Sequence, residues 1–231
     1  MIFDFGKPDG SRLVFGEDFR SRQIIQSRGG VLVGCDVGRA IGGSISPTGV
    51  SSQVVFNGTQ STLINASQAT FEIRFRVGAV VPTNKYLLCK GPITFNDNQW
   101  FMLFSVGQLN FYICSSAADT ANLIATSAAV VANTDYFYHI VYNGGLAPAS
   151  RAVMYEKGLP VGSAISGTLP TSMRAGGSPI VLFDAYGGIS HAPDTDFVWK
   201  PTRILGTAFS AQECLDAYNQ QTYSKAFGGG P

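Results

Sequence analysis

The feature that most constrains this chain is a strict alternation of apolar and polar residues from Phe71 to Val77. Successive side chains of a β-strand point to opposite faces, so the apolar residues line one face while Glu72, Arg74 and Arg76 line the other. A bulky apolar face of this kind has to be covered by a second layer of structure. The segment therefore predicts one wall of a half-buried sheet.

Other short apolar segments follow at near-regular spacing, each bounded by Gly, Asn, Asp or Pro. Residues 100–104 are apolar on both faces, which predicts a central strand between two layers. Residues 54–56 run through Asn57 and Gly58 towards 63–64, which predicts a hairpin. This succession of strands and turns predicts an all-β, two-sheet antiparallel sandwich.

One segment near the end of the chain has helical rather than strand spacing. Ser210 and Glu213 are placed to form a capping box, and Leu215 and Tyr218 share one face of the helix that follows. We therefore expect one short helix that packs its apolar stripe on the sandwich.

The composition divides the chain into three parts. Residues 1–50 interleave Gly, Ser and Arg with short apolar pieces, and they predict an irregular N-terminal arm or assembly segment. Residues 51–222 carry the strand pattern, and 223–231 form a Gly-rich tail. We expect the arm and the tail to contact neighbouring subunits, as in a homo-oligomer.

Low charge argues against several classes of partner. Only 13% of residues are charged and the net charge is +1, so no field attracts nucleic acid. The sequence has neither an apolar run long enough to span a membrane nor a leader at its start. We expect a soluble protein with no membrane partner.

Four cysteines, Cys35, Cys89, Cys114 and Cys214, lie far apart with no C-x-x-C pair, which excludes a metal knuckle or a redox motif. Two alternatives stay open at this point. Cys89 and Cys114 form a bridge if their strands are neighbours, or all four are buried free thiols.

Five segments, taken in order, resemble a known family, the laminin G-like domains of the concanavalin A-like superfamily. They are the opening strand and turn 54–61, the strand 71–77, the strand 138–144, the hairpin 154–160, and the closing strand and helix 203–218. Phe137 stands where the family usually carries Trp, and residues 1–50 have no counterpart. The resemblance implies a jelly-roll sandwich over about residues 53–218.

Relatives that cleave polysaccharides carry a Glu-x-Asp-x-x-Glu pattern, because retaining hydrolysis needs two carboxyls about 5–5.5 Å apart. The four Glu residues here, Glu17, Glu72, Glu156 and Glu213, belong to no such pattern. A Gly-x-Ser-x-Gly elbow and a phosphate-binding loop are absent as well. We therefore expect a protein that is not an enzyme and that needs no cofactor.

The most suggestive polar cluster is Asp184, Asp194 and Asp196, which flank a loop containing Tyr186. The resemblance implies two roles for it, a Ca²⁺ site built from hard oxygen ligands or a contact to a glycan through Tyr186. The alternative is a solvated loop whose acidic side chains cap turns.

Two functions compete on this evidence. The favoured interpretation is a structural component of a virion, such as a phage-like capsid decoration or tail protein, that contacts other subunits or a host surface. The alternative is an extracellular carbohydrate-binding lectin or adhesion module. Fold alone does not decide between them.

Overall fold

The computed structural model describes residues 13–17, 30–33, 35–38, 44–49, 51–57, 59, 63–91, 99–114, 122–126, 128–161, 163–183, 197–200 and 202–226. In chain order the strands are β1 (Leu13–Glu17), β2 (Gly30–Val33), β3 (Cys35–Gly38), β4 (Ser44–Pro47), β5 (Gln53–Phe56), β6 (Gln68–Arg76), β7 (Lys85–Lys90), β8 (Trp100–Ser105), β9 (Gln108–Ile113), β10 (Asn122–Thr126), β11 (Asp135–Asn143), β12 (Ala152–Glu156), β13 (Leu159–Pro160), β14 (Ser163–Ser166), β15 (Ile180–Leu182), β16 (Val198–Trp199) and β17 (Thr202–Leu205). A 3-10 turn covers Pro148–Ser150, and the helix α1 covers Ala211–Ala226.

Within the described residues the strands form two antiparallel sheets, as the sequence predicted. Sheet A has nine strands in the order β13-β12-β11-β6-β16-β4-β3, with β17 pairing β6 and β1 pairing β17. Sheet B has eight strands in the order β14-β10-β9-β8-β7-β15-β5-β2. The result is a β-sandwich of the jelly-roll type.

The core lies between the two sheets, where aromatic side chains of β6 meet those of sheet B. Phe71 packs edge-on against Trp100 with ring centroids 4.9 Å apart, and Phe75 packs edge-on against Phe104 at 5.5 Å. All four are completely buried. The apolar face of the alternating segment therefore lies against the second sheet, as predicted.

The other face of β6 differs from the expectation of a polar, solvated surface. Glu72 is buried, because α1 and the segment before it cover this part of the sheet. On this face the two ends of the strand are the more accessible positions: Gln68 is exposed, and 43% of the Arg76 side chain is accessible.

The segment predicted as an arm contributes strands to both sheets. β1 pairs with β17 and β4 with β16 in sheet A, whereas β2 pairs with β5 in sheet B. Its described residues therefore belong to the sandwich and are not an irregular arm. The strands have only four or five residues, which is too short for an alternating pattern to stand out in sequence.

The predicted hairpin from 54–56 to 63–64 is wrong. β5 pairs with β2 and β15 instead, and Leu63 and Asn65 form a turn in which both have positive φ. β5 ends at Phe56, and Asn57 lies in a turn directly after it.

The helix begins as predicted. The backbone amide of Ser210 donates to Glu213 Oε2 at 2.8 Å, and the amide of Glu213 donates to Ser210 Oγ at 3.2 Å, which completes the capping box. The helix continues to Ala226, past the predicted domain end at residue 222. No helix in the described part of the chain is long and apolar enough to cross a membrane.

Cys89, Cys114 and Cys214 are free and buried. Strand β8 separates β7, which carries Cys89, from β9, which Cys114 follows. Two strand spacings amount to about 9.6 Å, more than the Cα separation that a disulfide spans. Sheet order therefore excludes a bridge between Cys89 and Cys114 and leaves both as free thiols.

Candidate functional site

The four residues predicted to contact a partner, Asp184, Tyr186, Asp194 and Asp196, lie outside the described residues. Their role stays a prediction. What the structure does describe is the attachment of this segment at both ends, at Phe183 and Phe197.

Phe183 and Phe197 are both buried and pack edge-on, with ring centroids 6.2 Å apart. Phe197 also stacks on Phe75 at 5.5 Å, next to the last residue of β6. The described residues on either side of 184–196 therefore lie together at the end of the sandwich where β6 ends. We call it the loop end.

Three described loops also meet at the loop end: 77–84 after β6, 106–107 after β8, and 128–134 before β11. Backbone hydrogen bonds join them. The amide of Val130 donates to Gly107 O at 2.8 Å, and the amide of Asn133 donates to Gly78 O at 2.8 Å. The loops therefore support one another as a unit.

Each loop carries an exposed valine: Val80 is 58% exposed, Val106 81% and Val131 62%. We call these three residues the valine tip. Two alanines of the same loops, Ala79 and Ala129, are exposed as well, and no described residue of the three loops carries a charge. Such a group of apolar side chains on several loops is typical of an interaction surface.

Val106 is the least expected member of the tip. It occupies the first central position of the β8–β9 hairpin with φ +51°, followed by Gly107 with φ +74°. This left-handed conformation suits Asn or Gly, and it is strained for a β-branched residue. Because the side chain is 81% exposed, its burial contributes little to the stability of the folded chain.

Charged residues of both signs stand where the strands adjoin these loops. Asp135 is 55% exposed and lies 3.3 Å from Arg76 Nη1, and Lys200 Nζ contacts its other carboxylate oxygen. Lys85 begins β7 at the same end. We call Arg76, Asp135 and Lys200 the charged rim.

A second polar group lies under α1, on the outer face of sheet A. Glu72 stands opposite His139 in β11 and opposite Arg203 in β17, so the three form one row across the sheet. Arg203 binds both carboxylate oxygens of Glu72, with Nε 3.1 Å from Oε1. Arg74 Nη2 lies 3.2 Å from Oε1, and its guanidinium covers the ring of Phe137 at 4.5 Å.

Electrostatics keep the Glu72 carboxylate charged. Burial by itself raises the pKa of Glu72, but the contact from His139, 3.5 Å away, and the charges of Arg203 and Arg74 outweigh it and lower the pKa to about 2. The carboxylate is therefore ionised at every pH at which the protein would normally be handled.

Cys214 of α1 lies over the same row, which brings a thiol, an imidazole and a carboxylate into one region of the fold. The arrangement does not suit nucleophilic catalysis. Cys214 is completely buried, and burial followed by the nearby charges of Glu213 and Glu72 raises its pKa to about 12. A cysteine nucleophile needs a lowered pKa and access to substrate, so this group is structural.

Lys90 is the other unusual titratable residue. Burial lowers its pKa to about 8, but the side chain is inaccessible and its Nζ donates to Thr59 O at 2.8 Å and to Ser178 O at 2.7 Å. It joins two loops to β7. Among the described residues there is no group of three His, Cys, Asp or Glu side chains that could hold a metal ion.

The outer face of sheet B also carries apolar side chains. Phe101 stacks on Tyr112 with centroids 4.5 Å apart, and Tyr86 lies 5.8 Å from Phe101. Phe101 is already inaccessible to solvent, whereas Tyr86 and Tyr112 are half-buried. This face explains why 100–104 are apolar on both sides, and it offers less accessible surface than the valine tip.

The comparisons with known proteins agree on the fold. The chain superposes on the receptor-binding domain of botulinum neurotoxin type G with a TM-score of 0.65 at 14% identity, covering 91% of this chain and 52% of the toxin domain. It superposes on the receptor-binding domain of the C/D mosaic serotype with a TM-score of 0.61 at 12% identity, covering 83% and 46%.

A Trypanosoma rangeli sialidase is also similar, with a TM-score of 0.58 at 10% identity, covering 84% of this chain and 29% of the enzyme. This chain thus spans about half the length of the toxin domains. No family model matches the chain, and no curated protein matches its sequence. At identities this low, the likeness shows only that the fold is a β-sandwich. Membership of a narrower superfamily is still a prediction.

Sequence reasoning missed the valine tip. Val80, Val106 and Val131 are strand-forming apolar residues, so each one favours a buried position when taken alone. The Val-Gly pair at 106–107 was a usable signal, because a two-residue hairpin turn normally places Asn or Gly where Val106 stands.

Proposed function

We propose that this protein is a non-catalytic recognition module that binds its partner at the loop end of the sandwich. The observation that carries the proposal is the valine tip, three exposed apolar residues on three loops held together by hydrogen bonds. Phe183 and Phe197, which flank the acidic segment predicted as a contact, pack in the core at the same end.

Two further observations support a role in binding. Glu72 and Cys214 are buried and held in structural contacts, which leaves them unsuited to catalysis. The similar toxin domains are named for receptor binding, although a sialidase shares the fold as well. Because fold does not fix function, the exposed loop end is the stronger argument.

The setting that we propose is a virion, with the module as a capsid-decoration or tail component. Low charge, abundant small residues and an exposed apolar end are all compatible with contacts between subunits. The alternative is an extracellular lectin that binds a glycan through Tyr186, with Asp184, Asp194 and Asp196 holding Ca²⁺.

Removing residues 1–50 would be a poor test of assembly, because it deletes β1 to β4 and with them strands of both sheets. A sharper test replaces Val80 and Val131 with Ser and measures incorporation into particles. The matched control is Leu146→Ser, which alters a 47% exposed leucine next to the opposite end of β6. Normal incorporation of the double variant would contradict the proposal.

The lectin alternative is tested on a glycan array with and without Ca²⁺. Saturable binding that Tyr186→Ala abolishes, and that a chelator removes, would support it. Binding that survives Tyr186→Ala, or an array without signal, would exclude a glycan contact through this residue.

A further inference from the structure

We propose that the valine tip is a self-association surface, and that two copies of this chain pack tip to tip about a two-fold axis. The inference rests on the proposed function, since it assigns a partner to the loop end. In a two-fold contact the same patch meets itself, so the patch must be compatible with itself in shape and charge.

The side chains of the tip select an apolar partner. Val80, Val106 and Val131 are aliphatic, and the described residues of their loops include no aromatic ring on which a sugar could stack. A sugar-binding site brings polar groups together around its ligand, whereas the tip is formed by three aliphatic side chains. The tip instead resembles the apolar centre of a protein interface surrounded by a polar rim.

The charged rim favours a second copy over a lipid surface. Binding to an anionic bilayer calls for a basic rim without exposed acid, whereas Asp135 is 55% exposed between Arg76 and Lys200. A rim that carries both signs complements itself when it is turned about a two-fold axis. Asp135 of one copy can then face the cationic side chains of the other.

Strain at Val106 points in the same direction. An isolated hairpin turn would be more stable with Asn at this position, because Asn adopts positive φ readily. Because the Val106 side chain is 81% exposed, its contacts within the monomer do little to offset this strain. We therefore place the contact that favours valine at this position outside the monomer. Between two copies, Val106 would be buried against the partner's tip.

The substitution Val106→Asn separates the two roles of the residue. It relieves the strain, so the melting temperature measured at low protein concentration should rise. It also removes an apolar group from the centre of the contact, so the dissociation constant of the dimer should increase at least about fivefold. A residue that served only the turn would show the first effect without the second.

The experiment is sedimentation equilibrium of the full chain over a wide concentration range. The wild-type chain should dimerise, Val106→Asn should weaken the dimer, and Val80→Ser with Val131→Ser should abolish it. Leu146→Ser, at the opposite end of the sandwich, should leave the dissociation constant unchanged.

Three outcomes would overturn the inference. They are a wild-type chain that is monomeric at every concentration, a dimer that Val106→Asn leaves unchanged, and binding of the monomer to phosphatidylcholine vesicles through the tip. A monomer that still enters particles, and loses that ability in the double serine variant, would overturn self-association while leaving the proposed function intact.

Discussion

Replacing Glu72 by Gln should change both the stability of the protein and its dependence on pH. The carboxylate accepts hydrogen bonds from Arg203 on both oxygens and from Arg74 on one. It is buried between sheet A and α1. Glutamine has nearly the same shape but no charge, so the two guanidinium groups would stay under the helix without a counter-charge. Removing one partner of a buried ion pair costs about 3–5 kcal/mol of unfolding free energy.

The pH dependence follows from the depressed pKa of Glu72. The value falls from 4.5 in a free side chain to about 2 in the folded protein, and this corresponds to about 3 kcal/mol of stability at neutral pH. Because the folded-state pKa is the lower one, this stability is present above about pH 4.5 and is lost as the pH falls towards 2. About 2 kcal/mol of it should disappear between about pH 5 and about pH 3.

Urea denaturation of the wild-type chain and of Glu72→Gln at these two pH values measures the effect. Other carboxyl groups titrate in the same range, so the readout is the difference between the two proteins. The stability gap should be largest at the higher pH and narrow by about 2 kcal/mol at the lower one. An equal gap at both pH values would refute the assignment of a buried, ionised Glu72.

Three further predictions concern the fold. Gly158→Ala should lower the free energy of unfolding, measured by urea denaturation, by at least about 2 kcal/mol, because Gly158 has φ +79° and an added Cβ would lie 2.6 Å from the Leu215 Cα. In the control Gly177→Ala, an added Cβ would have no neighbour within 4 Å, so the free energy of unfolding should change by under about 0.5 kcal/mol. Ser210→Ala should lower the free energy of unfolding by about 1 kcal/mol, because it removes the capping box. Gln212→Ala in the same turn should lower it less. Equal effects of the two substitutions would contradict the role of the cap. Cys89 and Cys114 should both be alkylated in denaturant without reductant, and protection of the pair would contradict the sheet order.

The central strands were predictable because their side chains alternate over enough residues to exclude other structures. Phe71 and Phe75 pointed to the inner face of β6, and the Ser210–Glu213 box marked the start of α1 before any contact was visible. Both signals are local. Each depends on residues within one strand or one helical turn.

The features that the sequence did not predict depend on contacts between distant parts of the chain. Glu72 belongs to a polar alternation, and nothing nearby indicates that a helix about 140 residues later will bury it. β2 and β4 are too short to show a period, and only their pairing with β5 and β16 defines them. The exposure of Val80 and Val131 likewise follows from where the loops meet, which the local sequence does not encode.

The pairing of β1 with β17 has a consequence for how this sandwich can be joined to other proteins. Leu13 stands directly opposite Leu205, so an early strand and the last strand of the chain are neighbours at one edge of sheet A. A domain fused directly before β1 would therefore lie beside the connection that leads from β17 to α1. Its linker has to clear that connection, because displacing α1 would uncover Glu72.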